Sequence, residues 1–383
     1  MAVLINGFLV GYFVDGVTGL LLGLAPGVPL LPGIGHLFSG VVLLGALIVY
    51  LLLAVFSRLP CHVLAPMGLV VLFLGFFGAM PLPLFLGFDR TLILVNVFQL
   101  LVGAAAMVVL RYGSPVRRWF FRESDFMNSR FSFRHFLLFT GGNIFLAGPA
   151  LILYLAFCIS ISIAHFTGGF VRVGWHGVRV EERQYVRDDK RVRLVPMAHI
   201  GSRQFYDQLR ESFSGSRTVV LAEGVTDTGG RLRHFDGKSY KRIAQTMKLD
   251  VQDQHKLLAR TNYRRADVDA SQFSDSTIEF LDAVGVLLRS PTLPEMLTAY
   301  RRVNALASGG GGRLADNQLI EALYSDLLEL RNRRCLEEVA PALEEYDLVV
   351  IPWGAAHMPG IEKGILERGF RRSSSNEWFV VRW

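Results

Sequence analysis

The sequence predicts a membrane α-helical bundle of about five spans over residues 1–170, followed by a soluble α/β (α+β) domain with a mixed central sheet over residues 175–383. Three observations predict it. Charge is nearly absent from the first part: residues 1–171 hold no lysine, eight arginines and four acids (Asp15, Asp89, Glu123, Asp125), against 32 basic and 29 acidic residues in the remainder. Long apolar runs fill that same stretch, and the mean hydropathy of the whole chain is +0.35. Beyond residue 170 the pattern changes to short β-rich runs alternating with amphipathic stretches.

A bilayer core about 30 Å thick needs about 20 apolar residues in a helix. The runs 2–24, 37–57, 91–110 and 136–165 meet that length, and a fifth, 63–87, is broken by Pro66, Pro81 and Pro83 and reads as kinked or partly re-entrant. The first run has no basic segment before it and no cleavage pattern after it, so it reads as a retained span and not as a signal peptide.

Arginine in short loops sets orientation, because positive residues near span ends stay cytoplasmic. Six of the eight arginines lie between Arg111 and Arg134. That loop is expected inside, together with the N-terminus and Arg58, and the loops at 25–36 and 87–90 outside. Five crossings then place the C-terminal domain outside the cytoplasm. The expectation is a multi-pass protein of the plasma membrane (the bacterial inner membrane), with the bilayer itself as a partner and the 111–134 loop against lipid headgroups. Within the spans, Asn96, Gln99 and Asn143 read as interhelical hydrogen-bonding groups, whereas Asp15 is a carboxylate that needs a partner at that depth.

The formal net charge of +7 is no argument for nucleic acid, because the soluble part is nearly balanced. Only Cys335 lies in that part, Cys61 and Cys158 being in or beside apolar runs, so neither an intradomain disulfide nor a Cys-x-x-Cys motif forms there. Strands are expected at 191–198, 217–222 and 347–353, with a closing edge strand in WFVVRW. Helices are expected at 202–213, with Phe205, Leu209 and Phe213 on one face, and at 276–289 and 319–338, while SGGGG at 308–312 reads as a connection.

Three of these strands end in a group that binds metal or moves a proton: His199, Glu223 and His357. Ligands bind beyond the carboxyl ends of strands in open α/β sheets, so parallel neighbours would bring the three to one rim. Two imidazoles and a carboxylate form a common divalent-metal ligand set, and the ordinary alternative is three loop residues on strand-to-helix turns. Gly201, Gly224, Gly354 and Gly360 accompany them. Asp267 and Asp269 in RRADVDAS read either as turn chemistry or as a further ligand. The histidines at 36, 62, 135, 165, 176, 234 and 255 have no motif context and read as structural or solvated.

The stretches LVPMAHIG, VVLAEG, LELRNRRCLEEV and VVIPWGAAHMPGIEKGILERGF together resemble the TraB/PrgY/GumN and Tiki superfamily, related to the ChaN and erythromycin-esterase-like domains. The resemblance covers residues 190–372 and none of the spans. It implies a metallopeptidase or related hydrolase using a divalent ion (Mn, Co, Fe or Zn) held by His199, His357 and Glu223, with Glu223, Arg331 and Asn332 in catalysis, and peptides or exported proteins as substrates. Pro196 stands where that family carries the first motif's glycine. Two other readings are a non-catalytic module that binds a peptide, haem or signal, and a transport or sensing protein in which the bundle carries the function. The sequence leaves room for a homo-oligomer.

Overall fold

The computed structural model describes every residue except 26–30, 58, 114–117, 128–129, 234–237, 260, 291 and 308–316. The chain divides into two units, Met1–Ser162 and Ile163–Trp383.

The apolar runs of the first unit form α1 (Ala2–Leu24), α2 (Leu31–Val55), α3 (Cys61–Phe77), α4 (Leu82–Leu86), α5 (Phe88–Tyr112), α6 (Phe133–Gly142) and α7 (Gly148–Phe166). A π-helical turn over Asn143–Ala147 joins α6 to α7. Among the described residues, four helical stretches, Ala2–Leu24, Gly33–Val55, Phe88–Tyr112 and Phe133–Phe166, are long and apolar enough to cross a membrane. The third expected span is not one helix. Pro66 is accommodated inside α3, but α3 stops at Phe77 after 17 residues, and α4 is a five-residue turn between Pro81 and Gly87. At 1.5 Å per residue α3 is about 25 Å long, just short of the hydrocarbon thickness.

Close approach holds α1 to α5. Gly16, Gly19 and Gly23 of α1 face Leu100, Asn96 and Ile93 of α5, and a Cβ on Gly19 would stand 2.3 Å from Asn96 Oδ1. Small residues let helix backbones approach closely. Among the expected polar links, Gln99 donates to Tyr12 O of α1 at 3.1 Å, and Tyr50 of α2 donates to Asn143. Asn96 differs: its amide donates to Leu92 O within its own helix. The start of α1, the end of α2 and the arginine-bearing loop meet at one end of the bundle: the Met1 amine lies 3.2 Å from Glu123, Asn6 donates to Phe121 O, and Ser57 N lies 3.4 Å from Arg130 O. Arg58 and Arg117 fall outside the described residues, as does the 308–312 tract of the second unit.

The second unit opens with an antiparallel hairpin that sequence reasoning missed, β1 (Val171–Gly174) and β2 (Gly177–Arg187), and continues through β3 (Lys190–Met197), β4 (Ile200–Gly201), α8 (Arg203–Ser212) and β5 (Thr218–Ala222). Then follow α9 (Lys238–Met247), β6 (Asp250–Val251), α10 (Gln254–Leu258), β7 (Asn262–Arg265), α11 (Asp275–Arg289), α12 (Leu293–Ala307) and α13 (Asn317–Tyr324). The chain ends with α14 (Arg331–Glu345), β8 (Leu348–Gly354), α15 (Met358–Glu367) and β9 (Arg371–Val381).

Seven strands make one mixed sheet. β3, β8, β5 and β7 are parallel neighbours in that order, and β2 runs antiparallel to β1, β3 and β9. The four parallel strands need crossover connections, which the helices supply. Side chains alternate across the sheet: Val219, Leu221, Val349 and Ile351 pack with Val339, Ile361 and Ile365 of α14 and α15, while Val220, Val350 and Val195 pack with Phe205 and Leu209 of α8. β5 and β8 are therefore buried on both faces, which is why they read as continuous apolar runs and not as alternations. All three cysteines are free thiols.

Candidate functional site

The parallel order β3–β8–β5 places the carboxyl ends of these strands side by side, as expected of the residues that follow them. Glu223 follows β5 and His357 follows β8, and His357 Nε2 lies 3.6 Å from Glu223 Oε1. His199, after β3, is exposed, and its Nδ1 lies 3.3 Å from Gln252 Oε1.

Arg331 occupies the centre. Its Nη2 donates to Glu223 Oε1 at 2.9 Å and to Asp267 Oδ2 at 2.7 Å, its Nε donates to Asp267 Oδ1 at 2.9 Å, and its Nη1 lies 3.1 Å from His357 Nε2. A guanidinium has only donors, so His357 Nε2 accepts and carries no proton. The proton is on Nδ1, which donates to Asn332 Oδ1 at 2.8 Å. Arg331 and Asn332, adjacent at the start of α14, thus set the orientation and the tautomer of one imidazole. The π-helical turn Ser325–Leu330 directly precedes them, an irregularity found often at functional sites.

Backbone groups complete the cluster. Gly354 N donates to Glu223 Oε2 at 2.6 Å, Gly224 N donates to Asp267 Oδ2 at 2.8 Å, and Val268 N donates to Asp267 Oδ1 at 2.9 Å. Gly360 has a steric role: a Cβ there would stand 2.3 Å from Asn332 Nδ2, so the glycine seats the amide that holds His357. At Gly354 a Cβ would meet Glu223 and His357 only at ordinary contact, 3.5–3.6 Å.

Burial tunes these groups. Burial pushes the His357 imidazole down to about 3, helped by the Arg331 charge, against a smaller upward pull from Asp267. His357 is therefore neutral near neutral pH. Burial also pulls the Arg331 guanidinium down, but the hydrogen bonds and charges of Asp267 and Glu223 outweigh it and hold Arg331 above its ordinary value. Asp267, 1% exposed, is the residue that the sequence left open between turn and ligand; a carboxylate directly after a β-rich NYRRA run was the available signal. Asp269 does behave as turn chemistry, accepting from Thr226, Thr228 and Ser271, whose hydrogen bonds hold its carboxyl well below the usual range.

A divalent ion does not fit this arrangement. Among the described residues no three His, Cys, Asp or Glu side chains form a group able to hold one. The physical reason is Arg331: its guanidinium fills the space between Glu223, Asp267 and His357 and takes the lone pair that a metal would use. His199 Nδ1 lies against Gln252 Oε1, and the His199 charge adds a smaller downward push on His357. No model of a known family matches the chain, nor does any curated protein or solved structure.

Proposed function

We propose that this chain is a membrane-anchored hydrolase whose C-terminal unit acts on peptides or exported proteins outside the cytoplasm. The observation that carries the reading is a buried guanidinium, two carboxylates and a neutral imidazole gathered where parallel strands end. In a hydrolytic step, water oxygen bonds to a carbonyl carbon as its proton passes to Glu223 and the negative charge growing on the carbonyl oxygen faces Arg331; the bond from that carbon to the amine or alcohol then breaks, and the leaving group takes the proton from Glu223. Glu223 is the carboxylate for that task because its side chain is 9% exposed, whereas Asp267 is sealed beneath Arg331. Asn332 is a positioning residue, acting through His357.

Four apolar helices of spanning length support a membrane position. With α3 as a short fifth crossing, the chain leaves the bundle at the end opposite the N-terminus and the arginine-bearing loop. Positive residues mark the cytoplasmic side, so the C-terminal unit falls outside it.

The test is turnover of ester and peptide reporter substrates by the full chain in liposomes, with excess chelator. Glu223→Gln is expected to lower the rate by about a hundredfold or more with the fold intact. Absence of turnover with every reporter, with chelator or with added divalent ions, sinks the proposal. One observation favours a second reading, a non-catalytic binding module: every carboxylate oxygen of Glu223 and Asp267 and both ring nitrogens of His357 already have protein partners. Saturable peptide binding without turnover would select that reading.

A further inference from the structure

β9 closes the mixed sheet on one side. It is 11 residues long and pairs antiparallel with β2, and among the described residues no other strand pairs with it. Between irregularities near its two ends, Ser374–Phe379 pairs with Gln184–Arg179 without a break. Its far edge therefore presents regularly spaced backbone N–H and C=O groups with no strand beside them. Proteins commonly blunt such an edge with charge or proline. The exposed stretch Ser373, Ser374, Ser375 and Asn376 has neither.

A groove of about 370 Å³ follows this edge, walled by Gln204 and Gln208 of α8 and by Asn376, Glu377, Trp378 and Phe379 of β9. Consecutive residues of a strand point to opposite faces, so a groove touched by four in a row runs along the edge and not over one face. Its walls are held by other contacts. Trp378 Nε1 donates to Glu182 at 2.8 Å, Arg179 donates to Glu377 at 2.9 Å, and Ser202 Oγ caps α8 by accepting from Phe205 N. Gln204 and Gln208 are exposed.

The groove also leads toward the candidate site. Val380 O accepts from Ser202 N at 2.7 Å, which ties the end of β9 to the segment that follows His199. β9 and β3 both run antiparallel to β2, so the carboxyl end of β9 lies at the same end of the sheet as those of β3, β8 and β5. That is the rim where Glu223, Arg331 and His357 gather.

A row of backbone donors and acceptors at strand spacing is matched by another extended backbone, and a free edge with a helix alongside is the geometry of strand addition. The space beside α8 takes a single strand. A second copy of β9 would bring its own α8, which packs on that strand through Phe205, Leu209 and Val380. We propose that the edge of β9 and the adjoining side of α8 dock an extended polypeptide segment, which joins the sheet as one more strand. Backbone pairing supplies the affinity, so the site tolerates many sequences, and Trp378 and Phe379 take apolar side chains. The proposal rests on the hydrolase reading for one point, that the docked segment is substrate; the substrate class is then unfolded polypeptide, delivered with one end at the rim.

The test follows fluorescence polarisation of a labelled, end-capped Thr-Val repeat peptide of about eight residues, titrated with the full chain carrying Glu223→Gln in detergent. Saturable binding is expected. A peptide methylated at every backbone nitrogen should bind about tenfold or more weakly, because it has lost its donors. Gln208→Trp, which fills the groove from an exposed position, should weaken binding as much with the thermal midpoint unchanged. No saturable binding, or binding indifferent to methylation, overturns the proposal. So does a dimer of the chain that Gln208→Trp breaks, since the edge then belongs to a second copy. Reporter turnover by the parent separates the two claims: peptide binding without turnover refutes the hydrolase alone, and turnover without peptide binding refutes the groove alone.

Discussion

One nitrogen of Arg331 bridges two carboxylates, lying 2.7 Å from Asp267 Oδ2 and 2.9 Å from Glu223 Oε1. Two negative charges and one positive charge are buried together, and the bridge is what allows them to be. Arg331→Gln is expected to destabilise the second unit by about 3–5 kcal/mol, because it leaves two uncompensated carboxylates. Arg331→Lys should recover little of this, since a point charge cannot reproduce the fork of Nε and Nη2 on Asp267. Chemical denaturation of the full chain in detergent checks both; an Arg331→Lys variant as stable as the parent contradicts the account.

The same bridge predicts how the chain behaves toward metals. The parent protein is expected to retain no stoichiometric divalent ion at Glu223, Asp267 and His357. Arg331→Gln, which removes the cation from between them, is expected to gain affinity for Mn, Co or Zn. Elemental analysis after dialysis measures this directly. A parent protein carrying one equivalent of metal that is lost in His357→Gln would show that the guanidinium does not exclude the ion.

The low affinity of buried His357 for protons predicts a pH dependence. Its folded value, about 3, is depressed below the ordinary 6.5, so on acidification the unfolded chain takes up this proton first. The stability associated with a neutral His357 is present above 6.5 and is lost as pH falls from there toward 3, by up to about 1.4 kcal/mol per pH unit. Thermal midpoints of the parent and of His357→Gln, compared between pH 7 and about pH 5, should converge as pH falls. A constant gap over that range removes His357 as the cause.

Two glycines of one motif should respond differently. Gly360→Ala forces the Asn332 amide aside, so His357 loses its Nδ1 partner; Gly354→Ala meets only ordinary contacts. Reporter turnover is expected to drop about tenfold or more in the first and to change little in the second, each with a thermal midpoint near that of the parent. Equal effects would show that Asn332 does not act through His357.

In the bundle, Gly19→Leu places a branched side chain where Asn96 packs on α1, and should cost about 1–3 kcal/mol through overpacking. Thermal aggregation in detergent would register it, with Gly7→Leu, at a position with open space, as the control.

Much of this was legible along the chain. Apolar length marked α1, α2, α5 and the α6–α7 stretch, because a run that long and that apolar satisfies its backbone as one helix. Short β-rich runs marked β3, β5 and β8, and Phe205 and Leu209 marked the buried face of α8, with Phe213 buried at its end. Glu223 and His357 stand out at strand ends and Arg331 and Asn332 through the family resemblance, and the four side chains do meet. Tertiary structure alone decided what they meet as. Sequence lists His199, Glu223 and His357 as equivalent strand-end ligands, but whether a cation between them is a metal or a guanidinium depends on where α14 crosses the sheet, a contact more than 100 residues away from Glu223 in the chain. It likewise decided that Asp267 is a partner and not a turn residue, and that Asp15 faces Ser39 and Gln99, because pairings between distant segments are set by packing and leave no local mark.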